Sequence, residues 1–341
     1  MKRGRGVRAF AWGAAALMIS AAALPARGGV IPAAAEPSAQ AGKVAPETRE
    51  VTDELGRRVR VPLEAKRVVS LAPSLTETIY ALGLEDKLAG DTSYCDTPAA
   101  AKSKPHVGTP EAPNLEAIVA LHPDLVLMAP INSYEAMNAI ARLGIPVYGT
   151  EPRTVREMLS STERIAELMG AAEHGKEMVA KLQGDLDALE VRLENLPPAH
   201  VLFVVWEDPL ITIGQNTFIA DALRWAGAET VIESDEDYPR IGMEEVVRVQ
   251  PDWIVLSQDH MKDEDTSAAE LRTRPVWKDL RAVELGQVTT ASDDMERPSP
   301  EMVTAIEELA RKLHPEAFAG GAGGKTGSGK TSAAGTSEAQ R

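Results

Sequence analysis

The 341-residue chain holds 51 acidic residues against 36 lysines and arginines, for a net charge of −15. A body this acidic repels phosphate backbones and anionic lipid heads, which counts against a nucleic-acid binder or a basic membrane patch and suits a partner that presents basic residues. Its one cysteine, Cys95, rules out an intramolecular disulfide, and no cysteine stands in the early part of the chain to carry a lipid.

Residues 1–35 read as a secretory signal: four cations (Lys2, Arg3, Arg5, Arg8), then a charge-free, Ala-rich run over 9–24 and several small-residue cut sites. The other reading is an uncleaved anchor, but the run is shorter than the ~20 apolar residues a span needs. Removing residues 1–35, which carry five cations and no acid, takes the net charge from −15 to −20. Residues 36–50, rich in Ala, Pro and polar residues, form a linker expected to be disordered.

Residues 51–170 are assigned to an N-terminal lobe. It starts with a hairpin over 51–62 around Gly56 and a buried strand over 67–71. A helix ending near Gly83, a short strand at 88–90 and a long loop over 92–113 with four prolines follow. A helix–strand unit at 115–127 and a strand at 144–148 complete the lobe. No proline occurs between 154 and 196, and the pattern is helical, broken near Gly170 and Gly175. The second helix, 173–196, would measure ~36 Å. It is either a strut joining two lobes, assigned to 171–197, or a long surface helix of one lobe.

Residues 198–318 form the C-terminal lobe, with strands at 200–206, 253–257 and 288–290, a Glu207-Asp208-Pro209 loop, a helix at 217–226 and a closing helix over 299–314. Strands alternating with helices in both halves predict parallel sheets in an α/β fold. The tail, 319–341, is low-complexity and expected to be disordered. Its 324–331 stretch matches a phosphate-binding loop by letter but lacks the flanking strand and helix that such a loop requires, so the match is accidental.

One unit occurs twice. Residues 115–127 align without a gap on 243–255, each copy an amphipathic helix opened by an acid, a Pro-Asp turn and an apolar run. A single recurrence at this distance implies two similar lobes with a cleft between them, where small molecules bind. The repeat sets Glu116 and Glu244 at matching places. They either favour the positive helix end or form a matched pair of acids that meets basic residues on a two-fold partner. His122 and Asp124 sit in the turn, where Gln250 replaces His122 in the second copy, which points to a structural slot.

The loop after the last strand carries Asp293, Asp294, Met295, Glu296 and Arg297 at the strand-end rim where open sheets bind ligands. Helix capping by Ser299 explains the acids but not Arg297. Aromatics make up only 4% of the chain, and Tyr94, Trp206 and Tyr238 follow strand ends or lie in cleft-side loops, suited to a large flat ligand. The six histidines are scattered with no metal-binding pair, and no nucleophile elbow occurs, so neither a catalytic centre nor a metal site is expected. Cys95 reads as a small packed side chain.

Arg67-Val68-Val69-Ser70-Leu71-Ala72-Pro73-Ser74-Leu75-Thr76-Glu77, Ser93-Tyr94-Cys95-Asp96-Thr97-Pro98, Asn114-Leu115-Glu116 and Glu296-Arg297-Pro298-Ser299-Pro300 together resemble the periplasmic vitamin B12-binding proteins of ABC importers. The first and third motifs are shared with siderophore- and haem-binding relatives. The resemblance implies two α/β lobes, each around a mainly parallel sheet, joined by one long helix, with a corrinoid held in the cleft as transported ligand and no resident cofactor. Tyr94 and the 293–297 loop match the family's ligand contacts, Tyr238 falls where the family carries a Trp, and Pro110 stands where an aromatic is frequent. Glu116 and Glu244 match the two glutamates that dock onto arginines of a permease dimer with its ATPase. The expectation is therefore a periplasmic, monomeric, non-enzymatic carrier with little lobe closure. A siderophore or haem carrier, or an exported enzyme using the 293–297 carboxylates, is the competing reading.

Overall fold

The computed structural model describes residues 47–258 and 268–319. The expected signal segment, residues 36–46 of the linker, His260, and the tail from residue 320 with its phosphate-loop lookalike lie outside them.

The described chain opens on an antiparallel hairpin, β1 (Thr48–Thr52) and β2 (Arg58–Pro62). Strand β1 starts at Thr48, so residues 48–50 belong to the fold and not to a linker. Cross-strand pairing of Thr48, Arg49 and Glu50 with Pro62, Val61 and Arg60 outweighs their polar composition. The turn is tied to the lobe by the buried Asp53 carboxylate, which accepts from the backbone N–H of Arg57 at 2.8 Å and of Gly149 at 3.2 Å.

The N-terminal lobe then runs β3 (Val68–Ser70), α1 (Pro73–Ala81), β4 (Leu88–Gly90), α2 (Leu115–Ala120), β5 (Leu125–Met128), α3 (Tyr134–Arg142) and β6 (Val147–Gly149). Its four strands lie parallel in the order β4-β3-β5-β6. They are short and apolar because both faces are covered.

Helices α4 (Val155–Leu168) and α5 (Ala172–Leu193) follow, the second 22 residues long, or ~33 Å. The long helix α5 joins the lobes as expected, and α4 lies antiparallel to it and spans both as well. In α4, Val155, Met158 and Leu159 sit in the C-terminal core, whereas Ile165, Ala166 and Leu168 sit in the N-terminal core. In α5, Met178 packs on the N-terminal core while Leu186, Leu189 and Leu193 join the other. Gly170, with φ +75°, ends α4 as expected, but Gly175 lies inside α5 and breaks nothing. A Cβ there would come within 2.4 Å of the Ala166 Cβ, so the glycine exists to let the two helices close on each other.

The C-terminal lobe comprises β7 (Ala199–Glu207), β8 (Leu210–Thr212), α6 (Phe218–Trp225), β9 (Ala228–Thr230), α7 (Met243–Val249), β10 (Trp253–Ser257), α8 (Ala268–Leu271), α9 (Arg281–Leu285), β11 (Val288–Ala291), α10 (Met302–Leu313) and α11 (Pro315–Phe318). Strands β11, β10, β7 and β9 are parallel, and β8 turns back antiparallel to β7. The supposed Asp208-Pro209 loop is thus a two-residue hairpin turn, with Glu207 opposite Leu210. The closing helix starts at Met302, not 299, and Ser299 makes no cap. It is fully buried ahead of the helix, because Pro300 and Glu301 still belong to the turn.

Both copies of the repeat fold alike. His122 and Gln250 each take the left-handed conformation at φ +46°, which explains a polar slot with no shared chemistry. The Asp124 carboxylate accepts from the backbone N–H groups of Lys66 and Arg67 at 2.9 and 3.0 Å, at the approach to β3. Asp252 does the same for His200 N–H at 3.3 Å, near the start of β7. The duplicated acid therefore registers neighbouring strands.

Candidate ligand cleft

In a parallel βαβ unit each helix runs back against its strands, so strand ends and helix starts gather at one edge. The loops after β3, β4, β7 and β11 rise from that edge of their own sheet, and those after β4 and β11 hold most of the predicted site residues.

On the N-terminal side, Thr76 Oγ1 of α1 lies 2.8 Å from Ser70 Oγ and 3.2 Å from Cys95 Sγ, and Thr92 Oγ1 also lies 3.2 Å from that sulfur. Burial pushes the Cys95 thiol above its usual pKa, as befits a packed side chain and not a nucleophile. The adjoining Tyr94 is left half exposed. Its loop is pinned from below: Val107 N–H donates to Asp91 O at 2.7 Å and Ser93 N–H to Gly108 O at 2.9 Å. Asn132 Nδ2, at the end of the β5 loop, donates to Leu71 O and Pro110 O, both at 2.8 Å, which fixes the rim residue Pro110.

Beneath this loop Asp91 is fully buried, with Oδ1 2.8 Å from His106 Nδ1. Burial raises its carboxyl to about 6, against an opposing contribution from His106. Because the folded value exceeds the unfolded one, the stabilising contribution is complete below pH ~4 and is lost as pH rises through about 6. Relative to Asp91→Asn, the native chain should lose up to about 3 kcal/mol between pH 4 and 7. Urea midpoints of both proteins across that range check it, and a constant difference between them would contradict it.

On the C-terminal side a single 3-10 turn, Asp293–Met295, follows β11. Met295, expected to face ligand, is fully buried in the lobe core, because the turn directs its one apolar side chain inward. Asp293 and Asp294 stay partly exposed, and Glu296 accepts a hydrogen bond from Ser257 Oγ at the end of β10. Arg297 reaches the other lobe, where its guanidinium lies 2.9 Å from Glu77 Oε1 of α1. Burial raises the Glu77 carboxyl above the usual range, while Arg297 opposes the rise. Sequence reasoning passed over Glu77. The available signal was a lone charge in a long uncharged stretch, since Glu77 is the only charged residue between Arg67 and Glu85, and a charge in an apolar helix needs a partner.

Tyr238 is 55% exposed, and desolvation followed by the charges of Glu296 and Asp237 pushes its phenol upward. Trp206 stands opposite Ile211, which bridges to Arg240, so it shares a ribbon with the Tyr238 segment. Its indole N–H donates to Asp208 O at 2.8 Å, which fixes the ring. Successive contacts thus run from Tyr94 through Cys95, Thr76, Glu77, Arg297 and Glu296 towards Tyr238, across both lobes. Glu116 and Glu244 lie apart from this chain, exposed in the first turns of α2 and α7. The Glu244 carboxyl curls back over Gly242 at its own helix start, 2.7 Å from where a Cβ would be.

Among the described residues no group of three or more His, Cys, Asp or Glu could hold a metal ion, and no helix is long and apolar enough to cross a membrane. Two cavities, of about 690 Å³ between β2 and the α3–β6 turn and about 530 Å³ among α4, α5 and α6, contain none of the predicted residues.

A periplasmic binding protein family model matches residues 68–295, most of both lobes. The chain belongs to the periplasmic binding protein family. Within that family it is 27% identical over 250 residues to a vitamin B12-binding protein of Vibrio vulnificus, covering 73% of this chain and 89% of that protein. It is 29% identical over 320 residues to an uncharacterized ABC transporter substrate-binding lipoprotein of Bacillus subtilis, covering 91% of this chain and 98% of that one. Among solved structures, the periplasmic vitamin B12 binding protein of Vibrio cholerae superposes with a TM-score of 0.65 at 27% identity, over 76% of this chain and all of that one. The two-lobed α/β architecture of periplasmic binding proteins is therefore the fold of this chain.

Proposed function

We propose that this periplasmic binding protein captures cobalamin or a related corrinoid outside the inner membrane and delivers it to an ABC importer. The observation that carries the reading is the pair of tyrosines, Tyr94 and Tyr238, one on each lobe and each half exposed. Tyr94 adjoins Cys95, which bonds to Thr76 next to Glu77, and Tyr238 feels the charge of Glu296 next to Arg297. Flat aromatic surface left in water at a strand-end edge suits a broad macrocycle, since two rings bury much area at little conformational cost. Asp293, Asp294, Glu296 and Trp206 supply polar and aromatic edges around it, and Glu116 with Glu244 supply the exposed acids for a permease dimer. The ligand is cargo, and no residue here is assigned a catalytic role. The shared α4/α5 hairpin supports a carrier that closes little.

Calorimetric titration of the mature chain with cyanocobalamin tests the proposal. Binding at micromolar concentration or tighter is expected, with Tyr94→Ala and Tyr238→Ala each weakening it about tenfold. No heat with cyanocobalamin alongside binding of hemin or a ferric siderophore would move the assignment to that ligand class. Chemical conversion of the ligand by purified protein would move it to an enzyme.

A further inference from the structure

We infer that Glu77 and Arg297 form a latch between the lobes: the pair fixes the aperture of the cleft and parts before the lobes can separate to release their contents. The release half rests on the carrier reading above; the latch itself does not.

Each arm is held rigidly from its own side. Glu77 projects from α1, whose neighbouring side chains Leu75 and Ile79 belong to the N-terminal core. Its side chain is 2% exposed, so its position is set by packing and not by solvent. Arg297 lies between Met295 and Ser299, both fully buried, and the residue before it is bonded to Ser257 of β10. Its own side chain is 15% exposed. An arginine in a binding loop that served only as an anion receptor would point its guanidinium into the opening. This one crosses to the opposite lobe and is bonded there at 2.9 Å.

The pair acts where the helix hairpin does not. Helices α4 and α5 join the two cores mainly through apolar contacts, with polar ties on α4 from Val155 N–H to Asp221 at 2.8 Å and from Ser161 Oγ to Glu54 at 2.7 Å. A charge-assisted hydrogen bond between two rigid supports is directional and short-ranged, and a second tie at the strand-end edge narrows the small movement that the hairpin allows to a defined gap. The contact also has an all-or-none character. Once the arms part, the almost wholly buried Glu77 carboxylate is left in a partly dry site, so intermediate separations are disfavoured and the open state is reached only when water enters.

Hydrogen exchange on the full ligand-free mature chain tests this without reference to any cargo. Glu77→Gln and Arg297→Gln should each speed exchange at least about tenfold in both rims, residues 73–81 and 292–299, with β5 and β7 unchanged. The double variant should return part of the way to the native rates, because it removes both charges of the pair together. Arg297→Lys, which keeps the charge on a different head group, carries the same test should Glu77→Gln fail to fold. Faster exchange confined to the lobe that carries the substitution would overturn the latch and leave the pair a local tie. Faster exchange in both rims from a protein that binds no cyanocobalamin would sustain the latch while removing the corrinoid assignment.

Discussion

Replacing Gly108 with alanine should cost about 2–4 kcal/mol of stability and abolish most ligand affinity. Gly108 has φ +99°, and a Cβ there would meet Ala112 O at 2.6 Å and Asn114 N at 2.9 Å. Both obstacles are backbone atoms at the entry to α2, so no rotamer change relieves them. The left-handed conformation alone accounts for about 1–3 kcal/mol, and displacement of the loop adds to it. The binding loss follows from one hydrogen bond: Gly108 O receives the Ser93 N–H, which sets the position of Tyr94. Gly56 provides the control. It also has positive φ, at +75°, but nothing stands within 4 Å of its missing Cβ, so Gly56→Ala should cost only about 1 kcal/mol and leave affinity unchanged. Urea unfolding with cyanocobalamin titration on both variants measures the contrast. Equal losses would show that loop geometry does not control the site.

The double reversal Glu116→Arg with Glu244→Arg should eliminate delivery of ligand to the importer while leaving ligand affinity within about twofold of native. Both side chains are exposed and neither belongs to the contacts that link Tyr94 to Tyr238. Each reversal forfeits a favourable helix-start interaction of about 0.3–1 kcal/mol and replaces it with a repulsion of similar size, a modest loss for a domain of this size. At an interface with basic residues, the same change turns two attractions into two repulsions, and like charges brought together there cost several kcal/mol. Uptake of cyanocobalamin by cells or vesicles carrying the cognate permease and ATPase, compared with calorimetry on the purified variant, separates the two effects. A fall in affinity matching the fall in uptake would place these glutamates in the cleft and remove the docking role.

The duplicated unit made the architecture legible. A helix opened by an acid, a Pro-Asp turn and an apolar run specify an element pair, and a second copy 128 residues on specifies a second lobe. The exposure of Glu116 and Glu244, the structural role of the 122 and 250 slot, and the packed state of Cys95 were readable because each depends on local pattern. Tyr94 and Tyr238 could be picked out because aromatics are rare in this chain. By contrast Met295, read as a rim residue from its place among acids, points into the core, and Ser299, read as a cap, precedes the helix it was to start. Gly175 looked like a breaker and is a point of close approach. In each case the outcome depended on what packs against the residue and not on its neighbours in the chain.

Local periodicity and turn chemistry thus determined most of the elements, the two-lobe division and the edge where loops collect, because these follow from spacing within a few residues, while α3, β8 and β9 were not read. Tertiary structure alone decided which helices both lobes share and how Asp91 meets His106. It also decided that Arg297 meets Glu77, 220 residues earlier in the chain. A charge records its need for a partner in the sequence, but the partner is chosen by whichever opposite charge the folded backbone brings within about 3 Å.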